Sequence, residues 1–117
     1  MRLADLHLEQ DGQVVCASLT GDVDLSNAGS LRAELTGATS NHALGLIVDL
    51  TDVDYLDSAG LHLLHHLRED VVSRGQRFRL VIPSGSIAYA TMRLAGLDWH
   101  AEIVETVGDA RQAILGS

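Results

Sequence analysis

Residues 44–61 read LGLIVDLTDVDYLDSAGL, and the order of residue types along them decides the fold. Residues 44–50 are almost wholly apolar, broken only by Asp49 near the end. A run so short and so apolar suits a central strand covered on both faces. Residues 51–57 form a short acidic stretch that leads to Ser58. Beyond it Leu61, Leu64, Leu67 and Val71 recur at helical spacing, so the next element is a helix burying one stripe. Gly75 supplies a left-handed stop. Buried strand, acidic connection and amphipathic helix in that order make one unit of an α/β sheet.

The flanks repeat the unit. Downstream, residues 78–82 read as a strand stopped by Pro83. Ser84 or Ser86 then starts a helix with Ile87, Ala90 and Leu94 inward, closing near Gly96. Residues 101–104 are a short strand, and Thr106 with Asp109 resembles a capping box for a last helix through Leu115. Upstream, Leu6 and Leu8 alternate with His7 and Glu9, and Asp11-Gly12 supplies a hairpin turn. Residues 14–19 follow as a second strand, apolar on both faces and paired antiparallel with the first, which lies nearer an edge. Residues 20–24 are read as leaving that strand. Asp24 or Ser26 then caps a helix whose inward stripe is Ala28, Leu31, Leu35 and Ala38.

The predicted fold is therefore one α/β domain over residues 1–117, with a mixed, mostly parallel sheet of about five strands and about four helices. In such folds the working surface lies where strands end and helices begin. The two junctions richest in chemistry are residues 21–26 and 52–61.

Composition narrows the function. The chain has 117 residues and a formal net charge of −8, and all eight of its basic residues are arginine. Residues 1–57 hold ten of the sixteen acidic groups against Arg2 and Arg32 alone, so that half carries the whole excess. A surface of that sign repels phosphate backbones and argues against nucleic acid; a basic protein surface is the better partner. No apolar run approaches the roughly 20 residues that span a bilayer, so no membrane insertion is expected. No secretory leader is visible. The one cysteine, Cys16, has no partner for an internal disulfide and reads as a small buried hydrophobe, which fits a reducing, cytoplasmic setting.

Ser58 stands at the start of the helix. Its hydroxyl can cap the first turn, which is a structural role. Capping leaves Gly60 unexplained, since glycine is a poor helix former. A glycine there clears the surface around Ser58 and lets another backbone approach. Tyr55-Leu56 adds apolar contact area. Together these suit a hydroxyl that another protein handles. A phosphate on Ser58 would bring about −1.5 to −2 charges to a helix N-terminus, where dipole and free N–H groups favour an anion. Phosphorylation is therefore expected to spare the fold and to act at an interface.

These residues carry a resemblance. Residues 19–24, LTGDVD, resemble the first signature of the anti-sigma factor antagonist family of STAS domains, a strand ending in Leu-x-Gly-Glu-Leu-Asp. Residues 48–61 resemble its second, the strand, loop and helix that carry Asp-Ser-(Ser/Thr/Ala)-Gly-Leu. Leu94-Ala95-Gly96-Leu97 resembles a weaker third element. The resemblance covers essentially the whole chain. It implies a STAS-type βα superhelix and a non-catalytic switch: the unmodified protein binds an anti-sigma factor that is also a serine kinase of the GHKL type, which frees a sigma factor to activate transcription. It also implies that the kinase uses ATP to phosphorylate the serine, that binding is then lost, and that a serine phosphatase resets the cycle. The chain itself needs no cofactor. By position Ser58 is the phosphoacceptor, and Asp22, Asp24, Tyr55, Asp57, Ala59, Gly60 and His62 form the docking surface for the partner. Two positions depart from the family pattern. Ala59 replaces the second hydroxyl residue, and His62 stands where a small residue is usual.

Other readings fit less well. Hydrolysis with Ser58 as nucleophile lacks a Gly-x-Ser-x-Gly elbow. A phosphoaspartate receiver resembles its family in needing a lysine, and this chain has none. A STAS accessory or scaffold subunit of a transport or signalling complex, with the serine unused, is the alternative within the fold. His62, His65 and His66 share one helix face, but no Cys or Glu completes a recognisable metal site with them within the helix, and they read as a solvated face. Asp49, Asp52, Asp54 and Asp57 lack the glycine and terminal Glu of a calcium loop and read as turn and cap residues.

Overall fold

A computed structural model of the chain describes residues 4–96, 99 and 101–116. The strands are β1 (Asp5–Asp11), β2 (Val14–Val23), β3 (Gly45–Leu56), β4 (Arg77–Val81) and β5 (Ile103–Val104); the helices are α1 (Ala28–Ala38), α2 (Ser58–Val72), α3 (Ile87–Leu94) and α4 (Val107–Leu115). They form one five-stranded sheet in the order β1-β2-β3-β4-β5. Among the described residues, only the β1–β2 pair is antiparallel. The antiparallel edge, the parallel body and the four helices match the expected class. The hairpin closes through Gly12 at φ +62°, which a residue with a Cβ adopts only under strain.

The double apolar face of β2 is explained by two cores of unequal size. Val15, Ala17 and Leu19 face the larger core with Leu46, Val48 and Leu50 of β3, and α1, α2 and α3 cover it. Val14 and Cys16 face the smaller core, where Ile47 and Val81 meet Ala110 and Ile114 of α4. Cys16 is buried as expected, and burial first, then the nearby Asp49 carboxylate, pushes its thiol pKa up. Gly75 sits at φ +77°, and the Gln76 N–H returns to the Val71 carbonyl to close the end of α2. Thr106 caps α4 by accepting from the Asp109 N–H at 3.0 Å. Among the described residues, no helix is long and apolar enough to cross a membrane.

The structure corrects several expectations. β2 runs to Val23 and β3 to Leu56, so residues 20–23 and 51–56 are paired strand, not connections. The register shifts between Ser18 and Thr20 and between Gly21 and Asp22, and these irregularities hide the alternation that marks a strand. Neither Asp24 nor Ser26 caps α1; the cap position falls on Asn27, whose side chain turns back to the Asp24 N–H and the Asp22 carbonyl instead. α3 turns Ala88 and Met92 inward, whereas Ile87, Ala90 and Leu94 face out, Leu94 at 90% exposure. The cap at Ser86, which accepts from the Tyr89 N–H, fixes the helix phase, and the small Ala88 suits close packing on the sheet. β5 is two residues long, not four.

Helices α1 and α2 are joined by a fork. Arg32 Nε and Nη2 reach the two carboxylate oxygens of Asp70 at 3.3 and 3.2 Å, and Thr36 adds a bond at 3.3 Å. The bond from Arg32 holds the Asp70 carboxyl below its ordinary value, against an opposing effect of partial burial. A carboxylate lowered in the folded state contributes stability that is complete above the unfolded value, about 3.8, and fades as pH falls through the lower folded one. Asp70→Asn is therefore expected to flatten the acid limb of the stability curve below about pH 4, while costing no more than about 1 kcal/mol at neutral pH. Urea unfolding at a series of pH values checks this; parallel curves for the two proteins would refute it.

Candidate functional site

The ends of β2 and β3 lie side by side, with Asp22 opposite Tyr55 and Val23 opposite Leu56. The chain then leaves β3 through Asp57, which is extended, at φ −100° and ψ −172°. Asp57 ties three elements together. Its N–H donates to the Val23 carbonyl at 3.3 Å. Its Oδ1 accepts from the Gly60 N–H at 3.0 Å, which caps α2. Its Oδ2 accepts from the Leu25 N–H at 3.3 Å, in the turn between β2 and α1.

The helix cap is thus Asp57, not Ser58. Ser58 is the first residue of α2 and is exposed, and its hydroxyl makes no hydrogen bond among the described residues. The structural explanation for this serine falls away, leaving an outward alcohol with no internal job.

Two open hollows flank the Asp57-Ser58 step. Asp57 lines one of about 680 Å³ with Asp22, Asp24, Leu25, Ser26 and Tyr55. Ser58 lines the other, of about 510 Å³, with Leu61, His62, His65, Ala95 and Trp99. The first is acidic: no ion pair reaches Asp22, Asp24 or Asp57 among the described residues. The Asp24 carboxylate also holds its own turn, accepting from the Ser26 N–H at 2.9 Å and hydroxyl at 2.5 Å. The second hollow is more apolar, with the His65 ring stacked on Trp99 at 6.2 Å between centroids.

Most of the expected surface residues therefore gather at the C-terminal ends of β2 and β3. Asp22, Asp24, Tyr55 and Asp57 share the first hollow, and His62 joins Ser58 in the second. Ala59 is half-buried between them in sequence. Gly60 does not belong with them. It is buried, and a Cβ built on it would lie 2.4 Å from Leu56 Cδ1 and 2.9 Å from the Val23 carbonyl. The backbone that approaches this glycine is the chain's own, not a visitor's.

Other candidates disperse. His62, His65 and His66 are exposed, as expected of a solvated face, and His65 Nε2 lies 2.5 Å from Glu69 Oε1. Among the described residues, no three His, Cys, Asp or Glu side chains cluster as a metal site would require. Asp49 accepts from the Thr51 N–H and hydroxyl, and Asp52 is exposed on the same strand. Of the weaker late motif, Leu97 lies outside the described residues. Sequence reasoning missed Leu25, Ser26, Ala95 and Trp99 as lining residues. For Leu25 a signal existed: it is a lone apolar residue in an otherwise polar turn.

A family model described as STAS domain matches residues 5–110. A relative, the anti-sigma-F factor antagonist RsfB of Mycobacterium tuberculosis (strain CDC 1551 / Oshkosh), is 29% identical over 104 residues, which cover 88% of this chain and 83% of that protein. The crystal structure of an anti-sigma factor antagonist from Mycobacterium paratuberculosis superposes with a TM-score of 0.81 at 24% identity, covering 96% of this chain and 94% of that one. The Bacillus cell fate determinant SpoIIAA in its phosphorylated form gives 0.68 at 18% identity, over 94% and 99% of the two chains.

Proposed function

This chain belongs to the STAS domain family, and from that membership we propose that it is an anti-sigma factor antagonist switched at Ser58. The observation that carries the proposal is the exposed hydroxyl of Ser58 at the first residue of α2, without a hydrogen-bond partner among the described residues. Unmodified, the chain binds an anti-sigma factor of the GHKL serine kinase type over the two hollows, and a sigma factor is released. The kinase transfers a phosphoryl group from ATP to the Ser58 oxygen, and a serine phosphatase removes it. The chain is a substrate of both enzymes, works by binding in the cytoplasm, and carries no cofactor of its own.

The physics of the switch follows from where Ser58 sits. A phosphate there meets the free N–H groups and positive dipole end of α2, so the fold tolerates it. Docking does not, because Ser58 lines the hollow formed by Leu61, Ala95 and Trp99. Bringing a hydrated dianion into an apolar interface costs its desolvation. Asp57, Asp22 and Asp24 meanwhile favour a basic partner surface in the unmodified state.

Incubation with each purified anti-sigma factor kinase of the source genome and ATP, followed by mass spectrometry, tests the reading. One kinase is expected to add a single phosphate at Ser58 and to bind the phosphorylated chain at least about tenfold more weakly. Ser58→Ala is expected to take no phosphate and to stay within about 0.5 kcal/mol of wild-type stability, since Asp57 does the capping. Phosphate on another residue, or equal affinity for both forms, would remove the proposal.

A further inference from the structure

The acidic hollow contains a side chain that no sequence pattern singled out. Leu25 stands 82% exposed, and Tyr55 on the same wall is 51% exposed. A single exposed leucine needs no explanation of its own. This one is fixed in place from both sides. Its N–H is held by Asp57 Oδ2 at 3.3 Å, and the Asp24 carboxylate closes the turn by accepting from Ser26. The other oxygen of Asp57 holds the Gly60 N–H, so one carboxylate couples the Leu25 turn to the start of the helix that bears Ser58.

Resting on the reading of Ser58 given above, we infer that Leu25 is the apolar anchor of the docking surface and that Asp57 is the positioning residue that holds it out. The occupant is the anti-sigma factor kinase, presenting an apolar socket rimmed by arginine or lysine. Charge complementarity selects that rim, because Asp22, Asp24 and Asp57 surround Leu25 with no ion-pair partner among the described residues. Continuity selects the partner, because Asp57 and Ser58 are consecutive and one body seated on Ser58 covers both hollows. An apolar side chain that fills a desolvated pocket carries a large share of binding energy, and a turn already ordered in the free protein loses less entropy on docking.

The experiment measures binding of each purified anti-sigma factor kinase of the source genome to the wild-type chain, Leu25→Ala, Asp57→Asn and the double variant. Asparagine caps helices as well as aspartate does, and its one carbonyl oxygen can keep the Gly60 N–H. Its amide nitrogen cannot accept from Leu25, so Asp57→Asn removes the tether and spares the cap. Each single variant is expected to weaken binding at least about tenfold, and the double variant by little more than the larger single loss. Without any partner, amide exchange at Leu25 is expected to speed up in Asp57→Asn while Gly60 stays protected.

Binding of Leu25→Ala within about twofold of wild type overturns the anchor. Additive losses, or an unchanged Leu25 amide, overturn the positioning role of Asp57. Wild-type binding that is lost on Ser58 phosphorylation but indifferent to Leu25→Ala removes the anchor and leaves the switch. Failure of the wild-type chain to bind any of the kinases removes both.

Discussion

Gly60→Ala is expected to destabilise the domain by about 1–3 kcal/mol, although alanine is the better helix former. Two effects oppose each other. Alanine in a helix gains roughly 0.5–1 kcal/mol over glycine because less backbone freedom is lost on folding. Against that, the new methyl would sit 2.4 Å from Leu56 Cδ1, 2.9 Å from the Val23 carbonyl oxygen and 3.2 Å from Val23 Cγ1. The leucine methyl can rotate away. The carbonyl cannot, since it belongs to a strand paired with β3 and accepts from the Asp57 N–H. The start of α2 must therefore move off the sheet, and overpacking wins. Gly37→Ala is the internal control. It lies in α1 with nothing within 4 Å of the added atom, so there the propensity gain stands alone and stability should rise by about 0.5–1 kcal/mol. Urea midpoints measure both, and a Gly60→Ala protein as stable as wild type would show that the helix can yield at no cost.

Phe78→Ala is expected to cost more, about 3–5 kcal/mol. Phe78 is the one phenylalanine of the chain and is 1% exposed, on β4 within the larger core. Its removal subtracts the transfer energy of a ring and leaves a void that surrounding strands cannot collapse to fill. Domains of this size are stable by only about 5–15 kcal/mol, so the variant should melt well below wild type or purify partly unfolded. Phe78→Leu keeps most of the volume and should lose less than half as much. Equal losses for the two variants would indicate that the ring's shape, not its volume, holds β4 in place.

The central unit was legible because its signals agree. The apolar run of β3, the stripe of α2 and the left-handed Gly75 each point to the same strand-then-helix order. The ends of β2 and β3 were not legible. Val53 and Leu56 are buried while Asp52, Asp54 and Tyr55 are exposed, a spacing of three that breaks the alternation of a strand and is found on helix faces. Register shifts in the pairing cause that spacing, and pairing is a property of two segments that neither one displays alone. The stripe of α3 was misread for a different reason. Ile87 and Leu94 are the larger aliphatics, but the sheet is approached closely and takes Ala88. At the site, Ser58 and its acidic neighbours were legible from residue type and position. The division of labour between Asp57 and Ser58 was not, because either residue can cap a helix and the choice is made by the path of the folded backbone. Gly60 was read as clearance for a visitor when it is clearance for Val23, a residue 37 positions earlier that the fold brings alongside.

Because Val23 pairs with Leu56 and its carbonyl accepts from the Asp57 N–H, the residues leading into Ser58 are tied to the sheet. A phosphate added at Ser58, as proposed, would then be read locally, by touch, at the marked spot.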